Sequence, residues 1–231
     1  MLSDGPRPFR DRHEAGERLA ARLVEYRNRP DVLVVAIPRG GVPVAYEVAR
    51  ALAAPLDVIV VRKLGPPAQP ELAMGAIASG GVRVLNPEVV RALRIPDRII
   101  DTVAARERVE LERRERMYRG ERPGEDPTGQ TVILVDDGLA TGSSMQAAIA
   151  ALRARRAASV LVAVPVGPPS TCREIAGLAD GFVCLNQPAF FAAVGVWYEN
   201  FAPTTDEEVQ QLLESSLAFR APTAAPPAGR R

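Results

Sequence analysis

Apolar runs alternate along this chain with segments in which apolar residues recur at helical spacing. Five short apolar runs are typical of buried strands: residues 32–37, 56–61, 131–135, 159–164 and 182–185. Residues 42–53 and 145–155 place apolar side chains three and four positions apart, as amphipathic helices do. The alternation predicts an α/β fold, in which a largely parallel twisted sheet is flanked by helices.

Residues with defined roles at the ends of elements support this pattern. Two capping boxes predict helix starts: Asp11 with Glu14, and Thr205 with Glu208. Residues 74–79 and 82–85 are separated by Gly80-Gly81, a dipeptide that is common in hairpins. We therefore predict an antiparallel pair of strands there.

Residues 96–120 and 220–231 lie outside the expected core. The first segment predicts a long charged helix, an insertion in which glutamate and arginine recur four residues apart, and each such pair stabilises a helix by about 0.2–0.5 kcal/mol. Interleaved charges favour a solvated, self-paired helix over an arginine face for RNA or a second protomer. The second segment is rich in Ala and Pro, which predicts disorder. Residues 1–219 would then form a single domain.

The composition favours an intracellular enzyme. The chain has 231 residues, of which 47% are hydrophobic, enough for one sizeable core. With 29 basic and 28 acidic residues the net charge is +1, so no basic surface for nucleic acid or an anionic membrane is expected. No apolar run approaches the roughly 20 residues that span a bilayer, and the first residues lack the apolar centre of a signal peptide. We expect a cytoplasmic protein in which Cys172 and Cys184 stay reduced.

Residues 132–144, VILVDDGLATGSS, contain the main candidate chemistry. Four β-formers lead into Asp136 and Asp137, and a small-residue turn then opens an alanine-rich helix. The amides at such a helix start, with the positive end of its dipole, favour a phosphate. Carboxylates beside a phosphate repel it, so they would hold hydroxyls or a metal. Vicinal hydroxyls close to a phosphate are the features of a ribose phosphate.

The same motif resembles the phosphoribosyl-diphosphate (PRPP) signature of type I phosphoribosyltransferases, which joins an apolar strand, two acidic residues and a hydroxyl-rich loop. The resemblance implies that Asp136 and Asp137 bind the ribose 2′- and 3′-hydroxyls. It also implies that the following residues surround the 5′-phosphate: Gly138, Ala140, Thr141, Gly142, Ser143 and Ser144. The alternative is a chance Asp-Asp turn ahead of a helix.

A second loop, residues 36–41, follows the first predicted strand and is expected to hold pyrophosphate. Arg39 brings a positive charge, and Gly40 and Gly41 leave backbone amides uncovered. The position resembles the pyrophosphate loop of the family, where a strained or cis peptide often exposes these amides. We therefore predict a cis bond between Arg39 and Gly40. The alternative is a Gly-Gly turn that caps a helix.

Arg62 and Lys63 follow the second predicted strand at the same edge of the sheet. They resemble a position of the family at which a lysine approaches pyrophosphate. Residues 64–72, with three prolines and a glycine, resemble the mobile loop that closes over the site and excludes water. Alternatively, both cations are surface residues whose stems lie on apolar neighbours.

Aromatic residues crowd one C-terminal segment of a chain that is otherwise poor in them. The family carries a variable hood over its site, here about residues 186–204, in which an aromatic side chain often stacks on the acceptor base. The resemblance makes Phe191, Trp197 and Tyr198 the candidates, whereas the alternative is that these rings form the hood's own core. Ala140 stands where 6-oxopurine enzymes of the family commonly have an aspartate, so the acceptor stays open.

The resemblance implies a pentosyltransferase, in which a nitrogenous base, purine or pyrimidine, displaces pyrophosphate from PRPP with Mg²⁺ as cofactor. Asp136, Asp137, Arg39 and Lys63 are the expected catalytic residues. No metal-ligand spacing occurs, so pyrophosphate, hydroxyls and water would hold Mg²⁺, with the two aspartates helping through water. The other possibility is a PRPP- or nucleotide-sensing regulator of the same fold. Either could be a homodimer, and the one histidine, His13, is expected to have a surface or capping role.

Overall fold

A parallel sheet forms the centre of the molecule, which confirms the predicted α/β architecture. The computed structural model describes residues 7–67 and 72–219, so the tail predicted at residues 220–231 and residues 68–71 of the predicted mobile loop lie outside it. In chain order the strands are β1 (Val32–Ala36), β2 (Leu56–Val58), β3 (Val61–Leu64), β4 (Gly75–Ala78), β5 (Val82–Leu85), β6 (Thr131–Val135), β7 (Ser159–Val166) and β8 (Gly181–Asn186). The parallel sheet has the order β2-β1-β6-β7-β8.

Helices cover both faces of this sheet because its strands are apolar on both sides. The helices are α1 (Arg12–Ala20), α2 (Gly41–Leu52), α3 (Pro87–Ala92), α4 (Asp97–Arg119), α5 (Ser143–Ala154), α6 (Pro169–Leu178) and α7 (Asp206–Ser215), with 3₁₀ turns at Val24–Tyr26, Val194–Trp197 and Ser216–Phe219. Val34 and Ile133 pack with α1, α2 and α7 on one face. Leu33 and Leu134 pack with α5 and α6 on the other. Adjacent residues of each strand therefore face opposite layers.

Both predicted capping boxes begin helices. Asp11 Oδ1 accepts a hydrogen bond from the Glu14 amide at 2.8 Å, which caps α1. Thr205 Oγ1 accepts from the Glu208 amide at 3.1 Å, which caps α7. Each side-chain oxygen satisfies an amide that the first turn of a helix leaves without a partner.

The second predicted strand, residues 56–61, is divided between two sheets. β2 ends before this run is complete, and the chain turns into β3, which pairs antiparallel with β4, while β4 pairs with β5. The division follows from Val60, whose amide donates to Ser79 Oγ at 2.9 Å and whose carbonyl accepts from the Ser79 amide at 2.9 Å. The prediction of one continuous strand is therefore wrong. The predicted hairpin between β4 and β5 is confirmed, and Gly80 and Gly81 close it with φ of +82° and +75°.

The charged helix predicted at residues 96–120 is α4. Two glutamate–arginine pairs at the predicted four-residue spacing are present, Glu110–Arg114 at 2.9 Å and Glu115–Arg119 at 3.3 Å. The prediction of a solvated helix is wrong for one face, which packs against β3, β4 and α7. That face contains buried residues four and seven positions apart: Ile100, Ala104, Leu111 and Tyr118. In the part of the chain that the structure describes, no helix combines the length and the apolar character that crossing a membrane requires.

Candidate functional site

Two loops lie side by side at the carboxyl edge of the parallel sheet. The β1 loop, residues 37–41, follows β1, and the β6 loop, residues 136–144, follows β6. β1 and β6 are neighbours and pair in register to their last residues, Ala36 and Val135. The two predicted binding segments therefore leave the sheet at the same place, where ligands of open α/β sheets bind.

The two loops touch, and glycine is required at the contact. A β carbon built on Gly40 would lie 2.0 Å from Asp137 Oδ2. A β carbon built on Gly41 would lie 2.9 Å from the α carbon of Asp136. The fold thus brings the predicted pyrophosphate loop against the predicted acid pair, with no room for a side chain between them.

The β1 loop exposes two backbone amides. Among the described residues no acceptor receives a hydrogen bond from the amide of Arg39 or of Gly40, whereas the Gly41 amide donates to the Ile37 carbonyl at 3.2 Å. The cis peptide bond of this loop joins Pro38 to Arg39, so the prediction of a cis bond between Arg39 and Gly40 is wrong by one residue. Gly40 already has a helical φ of −59° because α2 starts directly after it.

The Arg39 side chain lies near α7. Its Nη1 is 3.8 Å from Asp206 Oδ1, and 47% of the side chain is exposed. Arg39 thus belongs to the loop whose glycines touch the acid pair, but its charge lies beside Asp206. An exposed pair of this kind contributes about 0–1 kcal/mol, so the guanidinium can turn toward a bound anion at little cost.

The β6 loop presents a row of backbone amides at the start of α5. Within residues 7–67 and 72–219 the amides of residues 140–145 donate to no protein acceptor. Gly142, directly before α5, has a φ of +76°, and Thr171 Oγ1 donates to the Ala140 carbonyl at 3.0 Å, which holds the loop from behind. Amides without acceptors at the start of a twelve-residue helix form a site for an anion. Four predicted residues of the loop are exposed there: Ala140, Thr141, Ser143 and Ser144.

The acid pair is partly buried, and its two charges interact. Asp136 Oδ1 accepts from the Asp137 amide at 2.8 Å, and Asp137 Oδ2 accepts from Arg12 Nε at 2.9 Å. Burial raises the pKa of Asp136 well above its ordinary value, and the charge of Asp137 raises it further. Burial also raises the pKa of Asp137, while Arg12 acts in the opposite direction. Carboxyls with pKa values raised in this way cluster at functional sites.

Sequence reasoning missed Arg12. It is the first residue of α1, and its side chain is only 10% exposed. Besides Asp137 it contacts the C-terminal segment, where Nη1 donates to the Ala202 carbonyl at 2.8 Å and the guanidinium lies 3.9 Å from the Phe201 ring centroid. No local pattern predicts a contact between Arg12 and Asp137, which are 125 positions apart.

Tyr198 belongs to the core of the hood rather than to a base-binding surface. Its ring packs against Phe9 and Phe201, with centroid separations of 5.5 and 5.1 Å, and the residue is 6% exposed. Its hydroxyl donates to the Asp137 carbonyl at 2.6 Å. The prediction that Tyr198 stacks on a base is therefore wrong, because neighbouring rings already cover it.

Phe191 and Trp197 stay candidates for the acceptor side. Both are partly buried, and Trp197 Nε1 is buried with no hydrogen-bond partner in the described part of the chain. Phe190, beside them, is 95% exposed. The hood also reaches the β6 loop, since a β carbon built on Gly138 would lie 2.7 Å from Val194 Cγ1.

Arg62 and Lys63 lie within β3 rather than in a loop after β2. The prediction of a strand-end pair is wrong because the chain leaves the parallel sheet before it reaches them. Arg62 Nη2 is 2.7 Å from Glu107 Oε2 of α4, so its charge is compensated within the fold. Lys63 lines a cleft of about 620 Å³ together with three hydroxyl-bearing residues of the β6 loop: Thr141, Ser143 and Ser144. The structure thus brings Lys63 to the predicted PRPP loop by a route that the sequence did not indicate.

A sequence model of the phosphoribosyl transferase domain matches residues 10–199. The chain belongs to the phosphoribosyltransferase family. Relatives from the CDC 1551 and H37Rv strains of Mycobacterium tuberculosis, each named "Putative phosphoribosyl transferase", are 49% identical over 206 residues, which are 89% of this chain and 46% of theirs. The chain therefore spans less than half the length of these relatives. The crystal structure of TT1426 from Thermus thermophilus covers 93% of this chain and 100% of its own, with 42% identity and a TM-score of 0.80.

The acid pair of this phosphoribosyltransferase fits a magnesium ion only in part. Within the described ranges, no three His, Cys, Asp or Glu side chains form a group that could hold a metal. Asp136 and Asp137 offer carboxylate oxygens, the ligand type that Mg²⁺ prefers, but two carboxyls leave most coordination positions to other oxygens. The residues present therefore fit an ion that substrate oxygens and water hold in the main.

The remaining candidate groups lie outside this site. His13 Nδ1 is 2.9 Å from Glu47 Oε1 of α2, and 44% of the histidine side chain is exposed, which fits the predicted surface role. Cys172 and Cys184 are free thiols with sulfur atoms 3.8 Å apart, on α6 and β8.

Proposed function

We propose that this member of the phosphoribosyltransferase family transfers the 5-phosphoribosyl group from PRPP to a nitrogenous base, purine or pyrimidine, and releases pyrophosphate with Mg²⁺ as cofactor. The observation that carries the proposal is the row of amides in the β6 loop beside a partly buried acid pair. An anion site next to two carboxyls fits a ligand with a phosphate at one end and hydroxyls near it. PRPP has both.

The β6 loop would hold the ribose 5-phosphate part of PRPP. The amides of residues 140–145 would donate to the 5′-phosphate, and the positive end of the α5 dipole would favour its charge. Asp136 and Asp137 accept from the ribose hydroxyls. Binding at these remote groups orients the anomeric carbon, so that binding energy contributes to the chemical step.

The β1 loop and Lys63 would hold the leaving group. The Arg39 and Gly40 amides have no acceptor among the described residues, and the Arg39 guanidinium can move from Asp206 to pyrophosphate. Lys63 adds a charge from the cleft beside the β6 loop. Mg²⁺, when bound through pyrophosphate and through water to the acid pair, would neutralise further negative charge.

The chemistry that follows is a displacement at the anomeric carbon. The bond from this carbon to the pyrophosphate oxygen breaks and its electron pair leaves with pyrophosphate, while the lone pair of the base nitrogen forms the new bond and the base loses a proton to water. Positive charge develops on the ribose between these events. Asp136 and Asp137, held close to the ribose, stabilise this positive charge through their carboxylates, so the catalysis is electrostatic rather than covalent.

The acceptor would bind under the hood. Phe191 or Trp197 supplies the stacking surface, since Tyr198 is covered by its neighbours. Ala140 provides no carboxylate for a purine ring nitrogen. The acceptor is therefore best sought in a panel that extends beyond the 6-oxopurines.

Two measurements test the proposal. Calorimetric titration with PRPP and Mg²⁺ should show binding, and an assay of pyrophosphate release across purines, pyrimidines and other amines should show turnover with at least one acceptor. Asp137→Asn should lower that turnover while circular dichroism shows an unchanged fold. Asp126→Asn is the matched control, because Asp126 is exposed and its carboxylate accepts, among the described residues, only from Thr128.

The outcomes separate the proposal from its rival. Unchanged turnover in Asp137→Asn would refute the proposed role of Asp137 in binding the ribose hydroxyls. PRPP binding without pyrophosphate release for any acceptor would favour the sensing regulator. Absence of PRPP binding would refute the proposed function and a regulator that senses PRPP, and would leave only a regulator that senses another nucleotide.

A further inference from the structure

The Arg12 guanidinium joins three parts of the molecule at the acid pair. It extends from the first turn of α1, donates through Nε to Asp137 and through Nη1 to the Ala202 carbonyl, and lies on the ring of Phe201. The guanidinium is planar and donates in fixed directions. These simultaneous contacts therefore define one orientation for Arg12 and for the carboxylate that it holds.

Asp137 is restrained on every side that the structure shows. Its Oδ2 accepts from Arg12, and its backbone carbonyl accepts from the Tyr198 hydroxyl at 2.6 Å. Gly40 lies so close that a single methyl group would meet the carboxylate. Oδ1 is then the oxygen left to accept from a ligand hydroxyl.

Arg12 is the cation that faces Asp137 within the described residues. The other titratable groups facing it are Asp136 on the same loop and the Tyr198 hydroxyl of the hood, and neither carries a positive charge. Gly40, from the β1 loop, adds no charge. Burial raises the pKa of Asp137, and Arg12 is the group that opposes this effect.

We propose that Arg12 is a positioning residue for phosphoribosyl transfer, which holds the Asp137 carboxylate in one orientation for a ribose hydroxyl and fastens the hood to it. The ribose role rests on the proposed function. The coupling of Arg12 to Asp137 does not, and it can be measured in the protein without any substrate.

The test compares Arg12→Met, Arg12→Lys and the control Arg18→Met. Arg18 lies on the same helix, and its guanidinium is 4.6 Å from the ring of Phe9, which packs against Tyr198 of the hood, but no hydrogen bond or ion pair joins it to Asp137 in the described part of the chain. Turnover is measured for each variant alone and combined with Asp137→Asn, and the free energy of unfolding in urea is measured for the same set without substrate. Arg12→Met should lower turnover about 100-fold, and adding it to Asp137→Asn should lower neither turnover nor the free energy of unfolding by the full amount that it costs alone.

Arg12→Lys keeps the positive charge but not the planar guanidinium donors. It should fold and still turn over more slowly than the wild type, and combining it with Asp137→Asn should add little to the loss of Asp137→Asn alone, whereas a merely structural role would add its full loss. The same comparison replaces that of Arg12→Met should the latter fail to fold. Arg18→Met should leave turnover unchanged, and its loss of stability should add in full to that of Asp137→Asn.

The results distinguish this inference from the proposed function. An active wild type together with a folded Arg12→Met or Arg12→Lys variant that is fully active, or whose losses add in full to those of Asp137→Asn, would overturn the role of Arg12 and leave the function standing. A wild type that neither binds PRPP nor releases pyrophosphate would overturn the function. In that event losses of unfolding free energy that add in full overturn the coupling as well, and losses that do not add support it.

Discussion

Replacement of Gly40 by alanine tests the contact between the two loops that form the site. Gly40 has a φ of −59°, which alanine adopts without strain, so the effect of the change is purely steric. The added β carbon would lie 2.0 Å from Asp137 Oδ2 and 2.7 Å from its Cγ. The nearest approach that real β carbons show is 3.0 Å, so the two groups must separate by 3.0 − 2.0 = 1.0 Å or more.

The size of the effect follows from that displacement. Asp137 cannot move freely, because Arg12 holds its Oδ2 at 2.9 Å and a hydrogen bond to a charged group contributes about 1.5–3 kcal/mol. A misplacement of about 1 Å in a catalytic group costs about 100-fold in rate. A loss of that size corresponds to about 2.7 kcal/mol of activation free energy.

Gly177→Ala provides the matched control. Gly177 lies in α6, and no other described residue beyond the helix's own backbone comes within 4 Å of an added β carbon. Alanine should therefore stabilise the helix by about 0.5–1 kcal/mol and leave turnover unchanged. PRPP titration and pyrophosphate release are measured for both variants, with thermal melts to confirm folding. A Gly40→Ala variant that is folded and as active as Gly177→Ala would refute the steric argument and the loop contact on which it depends.

Three further predictions concern stability. Burial raises the pKa of Asp136, so the folded state binds more protons than the unfolded state, and the free energy of unfolding should fall as pH rises from about 4 through the raised pKa. Asp136→Asn should remove this pH dependence, so the variant should melt at a higher temperature than the wild type at pH 7 but not at pH 4. If the stability of the variant and of the wild type depends on pH in the same way, the raised pKa of Asp136 is contradicted. Arg119→Met should lower the free energy of unfolding in urea by about 3–5 kcal/mol, because the buried Asp57 then loses the guanidinium that donates two hydrogen bonds to it. Arg113→Met, at an exposed arginine, is the control, and an equal loss in both variants would contradict this reasoning. Tyr198→Phe should cost about 1 kcal/mol in the same urea assay, since it removes one buried hydroxyl bond, and no loss would show that this bond contributes nothing.

Several parts of the fold and of the site were evident in the sequence. The apolar run before Asp136 predicted β6, the two glycines at residues 80 and 81 predicted the hairpin, and both capping boxes predicted helix starts. These signals are local, because a strand, a tight turn or a cap depends on residues within a few positions of each other. The acid pair and the hydroxyl-rich turn lie in one such segment, which is why the candidate site could be located.

Other features depend on contacts that no segment contains. Residues 58–61 are an uninterrupted run of β-formers. The hydrogen bonds between Val60 and Ser79 divide this run between two sheets. Because of this division, Lys63 lies in β3 and approaches the site from that strand. The tertiary fold alone decided these positions, because each depends on hydrogen bonds formed with a distant part of the chain.

The sequence by itself thus determined the layered α/β architecture and the presence of an acid pair beside an anion site. Only the tertiary structure decided how that pair is held, with Arg12 on the carboxylate and Tyr198 on the carbonyl of Asp137. These partners lie 125 and 61 positions away along the chain. Their contacts stabilise the site only once folding has removed water from between the partners. No pattern of neighbouring residues can therefore predict these contacts.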